Sequence, residues 1–145
     1  MTRLKDTRVL AWLYMMRVFN KMERLGDEHI QKLGLTGPQF DVLAQLSTHE
    51  GINQQGLSEK LFVTKGNVCG LLDRMEQRGW VERNSDPADR RAHRLHLTDE
   101  GRKVAECAMP AQEEFIVGQM SVLTDEEQAT LRALLRKLDK SLTSR

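Results

Sequence analysis

The feature that most constrains the fold of this chain is a change of hydrophobic period near Trp80. Before this point, apolar residues recur every three or four positions from 68 to 75, which predicts an amphipathic helix. After it, Val81 and Arg83 stand at alternate positions and polar and apolar residues alternate over 94–97, on both sides of a turn marked by Pro87. We therefore expect a helix that leads directly into a two-stranded β-hairpin.

Polar capping residues predict where the other helices begin. Thr36 and Gln39 form a capping box for a helix that reaches about His49, and Asn53 and Thr64 can cap two short helices joined by a tight turn. The long first helix, about 6 to 33, is apolar on more than one side, at Leu10, Trp12, Leu13, Met15, Met16, Val18, Phe19, Met22 and Leu25. Such a helix is expected to pack between two bodies.

Two more helices are expected after the hairpin. Thr98 can cap a helix that runs toward Met120, which Pro110 should kink or interrupt because proline has no backbone donor. Thr124 and Glu127 form a second capping box. Behind it lies a stripe of leucines on one helix face, at Leu131, Leu134, Leu135, Leu138 and Leu142.

This order of elements predicts a mainly α chain built on a winged helix-turn-helix with a two-stranded β wing. We expect one domain over 1–145, with a DNA-reading unit at 53–98 inside a DNA-binding lobe at 34–98, flanked by helices at 1–33 and 99–145. The apolar faces of the flanking helices could be covered by a second copy, which would make them dimerisation helices, or within one chain. In this plan the second helix of the pair enters the major groove of double-stranded DNA. Fold alone does not fix function, so a winged-helix module that binds another protein is the alternative.

The second helix of the pair supplies the candidate DNA-binding residues Thr64, Lys65, Asn67, Gly70 and Arg74. The side-chain amide of Asn67 matches the donor and acceptor of adenine in the major groove, whereas Arg74 is placed for a phosphate. A glycine inside a helix costs roughly 0.5 to 1 kcal/mol relative to alanine, a cost that makes sense at Gly70 if the backbone approaches another surface closely.

The tip of the hairpin carries Asp89, Arg90 and Arg91. An arginine in such a turn can enter a narrow minor groove while a neighbouring carboxylate holds it in place. We predict that Arg91 is the arginine that enters the groove. A solvated turn would explain the same charges without DNA.

The charge distribution agrees with this placement, although the net charge of the whole chain is only +1. Residues 60–96 contain eight Lys or Arg and five Asp or Glu, a net charge of +3, whereas residues 97–145 contain seven and nine, a net charge of −2. The basic excess thus coincides with the predicted reading unit. An ordinary solvated surface is the alternative explanation.

Other functions find little support in the sequence. The four histidines have no metal or catalytic spacing, so we expect no enzyme, no metal and no cofactor. No apolar stretch is long enough for a membrane span or a signal peptide, which predicts a cytoplasmic protein. Cys69 and Cys107 are too far apart for a CxxC motif, and structural thiols are expected.

The run GLLDRMEQRGWVERNSDPADRRAHRLHLTDEG resembles the MarR family of bacterial transcriptional regulators. The most similar positions are Leu72, Asp73, Arg74, Arg78, Gly79, Asp86, Pro87, Asp89, Arg90, Arg91, Leu97, Thr98 and Gly101. The resemblance extends to the whole chain, because that family also has a long first helix and two helices after the wing.

The resemblance implies a homodimer that binds a pseudo-palindromic operator, usually as a repressor, and that a small aromatic or amphipathic effector releases from DNA. It also implies that Asp89 orients Arg91 in the minor groove. Effector contacts would come from the first two helices, at Trp12, Met16 and Phe40, for which plain core packing is the alternative. The peroxide-sensing branch has a reactive cysteine in the first helix, and this chain has none before Cys69, where oxidation could disrupt DNA binding.

Overall fold

A computed structural model of the chain describes residues 5–61 and 65–143. The chain divides into two compact units, Met1–Gln112 and Glu113–Arg145. The described residues form six helices and one two-stranded sheet, in the order α1 (Thr7–Lys32), α2 (Gly37–Thr48), α3 (Gln54–Leu61), α4 (Lys65–Gln77), β1 (Val81–Asp86), β2 (Asp89–Leu97), α5 (Asp99–Met120) and α6 (Asp125–Thr143). This is the predicted mainly α, winged helix-turn-helix architecture.

Most of the predicted helix starts are confirmed by hydrogen bonds of the capping residues. Thr36 and Gln39 form both bonds of the capping box at α2. The Asn53 side chain accepts from the backbone N–H of Gly56 at 2.7 Å, which caps α3, and the Thr98 hydroxyl accepts from Gly101 N–H at 3.0 Å, which caps α5. The predicted cap at Thr64 lies outside the described residues.

A glycine turn joins α4 to the hairpin. Gly79 has a φ of 74°, and its N–H and that of Trp80 donate to the carbonyls of Glu76 and Met75 at 2.9 and 3.0 Å. These two bonds form a Schellman motif, which requires a left-handed residue that glycine adopts without strain. The chain can therefore pass directly from the end of α4 into β1.

The hairpin is antiparallel, with Val81 opposite Leu97 and Asn84 opposite Arg94. Its first strand is Val81–Asp86 and its second is Asp89–Leu97, so only Pro87 and Ala88 lie between them. The segment before α3 also pairs with β2, because Gly51 N–H donates to Leu95 and Leu95 N–H donates to Ile52, both at 2.9 Å. This extra pairing, which the sequence patterns did not predict, fixes the base of the hairpin against α3.

The core of the first unit lies between α2, α3, α4, the hairpin and the first half of α5. Among the described residues, the largest side chains that are less than 2% exposed are Leu43, Leu46, Leu57, Leu72, Met75, Leu95, Val42, Val68 and Val81. The residues of α4 in this group confirm the predicted apolar face. The first turn of α5 fits closely against the chain before β1, because a Cβ at Gly101 would lie 1.9 Å from the carbonyl oxygen of Trp80.

The expected interruption of α5 at Pro110 is wrong, because the helix continues from Asp99 to Met120. A kink at Pro110, the other expectation, stays a prediction. Proline removes the hydrogen bond to the carbonyl of Glu106, and both residues are exposed, so that water can satisfy the freed carbonyl.

The second unit holds the end of α5 and all of α6. Thr124 and Glu127 form the predicted capping box, with bonds of 2.9 and 3.3 Å. No described residue of α6 is buried, and Leu134, Leu135, Leu138 and Leu142 of the leucine stripe are 43 to 62% exposed. Among the helices of residues 5–61 and 65–143, none is long and apolar enough to cross a membrane.

Candidate nucleic-acid interface

The exposed side of α4 carries the residues that the sequence predicts for base and phosphate contact. Asn67 and Arg74 are exposed, opposite the buried face of Val68, Leu72 and Met75. Lys65 begins the helix, but its side chain, like all of Thr64, lies outside the described residues. The donors and acceptors on this side of α4 are therefore open to a partner molecule.

Gly70 lies on the same side, where a Cβ would meet the Arg74 guanidinium at 3.7 Å, an ordinary contact distance. The described packing therefore has room for alanine at this position, which would favour the helix by roughly 0.5 to 1 kcal/mol. Because Gly70 has no Cβ, the backbone of α4 is less covered by side-chain atoms at this position. A second surface could approach the backbone closely there.

The wing tip is held by two carboxylates that accept backbone hydrogen bonds. Asp86 accepts from Ala88 N–H and Asp89 accepts from Arg91 N–H, both at 2.9 Å. Asp89 thus fixes the backbone on which Arg91 stands, whereas no ion pair between the two side chains is present in the part of the chain that the structure describes. The resemblance implied that Asp89 orients Arg91, and the contact seen is with its main chain.

Arg83 ties the wing to α4, a role that the sequence reasoning missed. Its Nε donates to Glu76 Oε2 at 2.8 Å, and its Nη2 donates to Asp73 Oδ1. The bond to Glu76 is the largest of the interactions that raise the pKa of the Arg83 guanidinium. An arginine at an inward position of an alternating strand, seven and ten residues after two acids of a helix, is the signal that could have revealed this pair.

Arg94 ties the wing to the segment before α3. Its Nε lies 3.4 Å from Asp86 Oδ2, and its Nη1 donates to the carbonyl of Gly51 at 3.3 Å. Because Asp86 is close to the tip and Gly51 precedes α3, this one side chain contacts both the end of β1 and the segment before α3. The sequence patterns gave it only a place in an alternating strand.

The ion pairs within the chain determine which basic side chains remain available to bind a polyanion. Arg83 and Arg94 are engaged by carboxylates of their own lobe. Among the described residues, no ion pair engages the exposed Arg74, Arg90 or Arg91. Arg78 stacks over the ring of Trp80, with 4.9 Å between the guanidinium carbon and the ring centroid. Within the described part of 34–98, the guanidinium groups that no ion pair or ring engages therefore lie on α4 and at the wing tip.

The predicted effector residues are in different environments. Trp12 and Met16 are 54% and 40% exposed on α1, whereas Phe40 is partly buried and packs against the core. A separate pocket of about 400 Å³ lies between the end of α2, the end of β2 and α5. Its lining includes Leu97 and Met109 as apolar surfaces and Arg102 as a cation.

Arg102 is also part of an ion pair that joins α5 to the end of α2. Its Nη2 donates to Glu50 Oε1 at 3.0 Å, and Nδ1 of His96 lies 3.9 Å from the same oxygen. The hydrogen bond from Arg102 lowers the pKa of the Glu50 carboxyl. Both side chains are more than 40% exposed, so the pair contributes little to stability.

A short helix, a reading helix and a wing with basic residues at its tip define a winged helix-turn-helix protein of the DNA-binding class. The model of the MarR family matches residues 33–92. An uncharacterised HTH-type transcriptional regulator of Bacillus cereus is 35% identical over 132 residues, 90% of this chain and 88% of the relative. The transcriptional regulator HosA of Escherichia coli is 33% identical over 127 residues, 84% of this chain and 94% of its own.

The solved structures agree with the sequence relatives. A mutant of MarR from E. coli in complex with operator DNA has a TM-score of 0.80 and 30% identity, over 94% of this chain and 99% of that one. The chain therefore belongs to the MarR family, and it is a winged-helix transcriptional regulator rather than an enzyme.

Proposed function

We propose that this protein is a cytoplasmic homodimer that binds a pseudo-palindromic operator, represses transcription there, and leaves the DNA when a small aromatic or amphipathic effector binds. Residues 34–98 form the DNA-binding lobe, with α4 in the major groove and Arg91 in the minor groove. Residues 1–33 and 99–145 form the dimerisation lobe. The MarR mutant bound to operator DNA is a relative that makes this arrangement reasonable for the present chain.

The observation that carries the DNA-binding proposal is that, within the described part of 34–98, the exposed arginines engaged by neither a carboxylate nor a ring lie on α4 and at the wing tip. The exposed arginines are Arg74 on α4 and Arg90 and Arg91 at the wing tip. Asn67, near the start of α4, presents an exposed side-chain amide. Guanidinium groups bind phosphates and enter narrow minor grooves, whereas an amide reads adenine. A module that binds another protein would have no need of this combination.

The homodimer is supported by apolar surface that the described part of the chain leaves open. On α1 the exposed apolar residues are Val9, Leu10, Trp12, Leu13, Tyr14, Met15, Met16, Val18 and Phe19. On α6 they are Leu134, Leu135, Leu138 and Leu142. Exposed apolar faces of this extent mark interaction surfaces, and a second copy is the partner that the family's symmetry suggests.

The effector is proposed to bind next to α5, with Arg102 for an acidic group and Leu97 and Met109 for an aromatic ring. Trp12, Met16 and Phe40 do not line this pocket, and they are the contacts proposed for an alternative effector position on α1 and α2. A set of small aromatic acids should raise the melting temperature of the protein and release it from DNA. Substitution Met109→Trp would reduce the pocket, so the shift in melting temperature should be lost in that variant.

Binding to the DNA upstream of the protein's own gene tests the central claim. Fluorescence anisotropy should show binding that weakens steeply as the salt concentration rises, because phosphate contacts release counterions. Arg91→Ala should weaken binding by about tenfold or more while the dimer stays intact. Arg132→Ala on α6 is the matched control, since it removes an exposed arginine far along the chain from the reading unit.

The absence of salt-sensitive binding to any promoter fragment would refute the regulator proposal and favour a protein-binding module. Substitution of Asn67 separates two roles for this residue. A change in the bases that are tolerated supports base reading, whereas equal weakening on all sequences indicates a phosphate contact.

A further inference from the structure

The side chain of Arg83 occupies an unusual place for an arginine. It stands on β1 opposite Leu95, which is fully buried, and its own side chain is only 17% exposed. Residues opposite each other in an antiparallel pair point to the same face, so the stem of Arg83 lies on the inward face of the wing. Burying a guanidinium there is costly unless the charge is paired.

The pairing comes from α4, which places Asp73 and Glu76 on one side of the helix, three residues apart. Like charges at this spacing repel each other. The guanidinium of Arg83 neutralises both carboxylates, because its Nε donates to Glu76 at 2.8 Å and its Nη2 donates to Asp73. The wing is therefore attached to the reading helix by a side chain whose planar fork contacts two successive turns.

This attachment has two consequences for a polyanion. Without Arg83, two carboxylates beside the exposed face of α4 would repel phosphates. In addition, the hairpin would lose its two side-chain ion pairs to α4. The bonds of Gly51 and Ile52 to Leu95 would still hold its base, but they lie on the segment before α3 and not on α4. The tip residues Arg90 and Arg91 lie at the far end of the hairpin, where a small change of angle produces a large displacement.

We propose that Arg83 is a positioning residue for DNA binding, which sets the angle between the wing and α4 and neutralises Asp73 and Glu76, without itself touching DNA. The proposal rests on the DNA-binding function proposed above. It assigns a role in affinity to a residue that lies beneath the contact surface rather than on it.

The test measures anisotropy of the promoter fragment over a series of salt concentrations. Arg83→Ala should weaken binding by about tenfold or more in the parent protein but much less in the Arg91→Ala protein, because fixing the wing angle matters only while the tip arginine is present. Arg91→Ala alone should reduce the slope of log affinity against log salt concentration by about one contact. Equal weakening by Arg83→Ala in the parent and in Arg91→Ala would mean that Arg83 acts independently of the wing tip, which would overturn the positioning role.

Two further variants separate positioning from a loss of folding. Arg83→Glu should bind very weakly, and the charge exchange Glu76→Arg with Arg83→Glu should recover about tenfold or more of that loss, since the pair is restored in reverse. Arg83→Lys should lie between the parent and Arg83→Ala, because an ammonium lacks the fork that reaches both acids.

Amide hydrogen exchange without DNA gives an independent result. Residues 81–97 should exchange faster in Arg83→Ala than in the parent, whereas α1 and α6 should be unchanged. Unaltered affinity and unaltered exchange in a folded Arg83→Ala protein would refute this inference alone. A parent protein that binds no promoter fragment would instead refute the proposed function, and the exchange result would still report on the attachment of the wing.

Discussion

The helices α4 and α6 have the same spacing of apolar residues, but the apolar face is buried in α4 and exposed in α6. In α4, Val68, Leu72 and Met75 are fully buried by other elements of the same unit. In α6, leucines at the same spacing remain exposed, and no described residue of the helix is buried. A pattern of this kind identifies the face that must be covered. It does not say whether the cover belongs to the same chain.

The difference also separates two kinds of stability. Residues that are covered within one chain stabilise it at any protein concentration, whereas a face covered by a second copy contributes only when the dimer forms. Substitutions on α4 should therefore change the free energy of unfolding, whereas substitutions on the leucine stripe of α6 should change the dissociation constant of the dimer.

Leu72→Ala should have the largest effect. The side chain is fully buried, and removing a leucine from such a site costs about 2 to 5 kcal/mol because a cavity remains. Urea denaturation should show this loss in the free energy of unfolding, while sedimentation of the folded protein gives the parent dissociation constant. A raised dissociation constant without a loss of stability would show that α4 is covered by the partner and would reverse the comparison.

Leu135→Arg should act on the dimer instead. Leu135 is 43% exposed in the single chain, so a charge is tolerated there until a second apolar surface covers it. We expect the dissociation constant, measured by sedimentation, to rise about 100-fold, which corresponds to roughly 2.7 kcal/mol. Ala133→Arg places the same charge on the opposite side of α6 and should leave the dimer unchanged. Equal effects of the two would refute a dimer interface on the leucine stripe.

Two glycines of α5 allow the same comparison within one helix. Gly101→Ala would place a Cβ 1.9 Å from the carbonyl oxygen of Trp80, so the backbone must shift, at a cost of about 1 to 3 kcal/mol. Gly118 has nothing within 4 Å of such an atom, and Gly118→Ala should stabilise the helix by about 0.5 to 1 kcal/mol. Thermal unfolding measures both changes. A loss of stability in Gly118→Ala would place a second surface against this end of α5.

Local chemistry explains why most of the fold could be predicted. The capping residues Thr36, Asn53, Thr98 and Thr124 act on backbone groups within three residues, and the change of period near Trp80 reports a change of backbone geometry. Pro110 was the exception, because its cost depends on whether water can reach the freed carbonyl. Exposure of that kind is decided by tertiary packing rather than by the neighbouring sequence.

The candidate site was predictable only in part. Asn67, Arg90 and Arg91 stand out because helix phase and turn position place them on the surface. The roles of Arg83 and Arg94 were missed since their partners are 7 to 43 residues away, and no periodicity encodes such a contact. Counting charges gave a net +3 for residues 60–96, but which cations remain free depends on these pairs.

A charge on the exposed side of α2, beside the covered core, gives the smallest predicted effect. Burial raises the pKa of the Asp41 carboxyl above its ordinary value of 3.8, and the carboxylates of Glu23 and Asp27 raise it further. The folded protein therefore binds more protons than the unfolded chain between the two pKa values. The stabilisation is complete below pH 3.8 and is lost as the pH rises through the folded-state pKa.

Asp41→Asn removes this charge and should raise the free energy of unfolding near neutral pH, by less than about 0.5 kcal/mol because the group is partly exposed. The gain should shrink as the pH approaches 3.8, where the parent carboxyl is itself protonated. Urea denaturation at the two pH values measures the difference, with Glu59→Gln on the exposed side of α3 as the control. A gain that is equal at both pH values would mean that the amide acts through packing, because only the charge of Asp41 changes with pH.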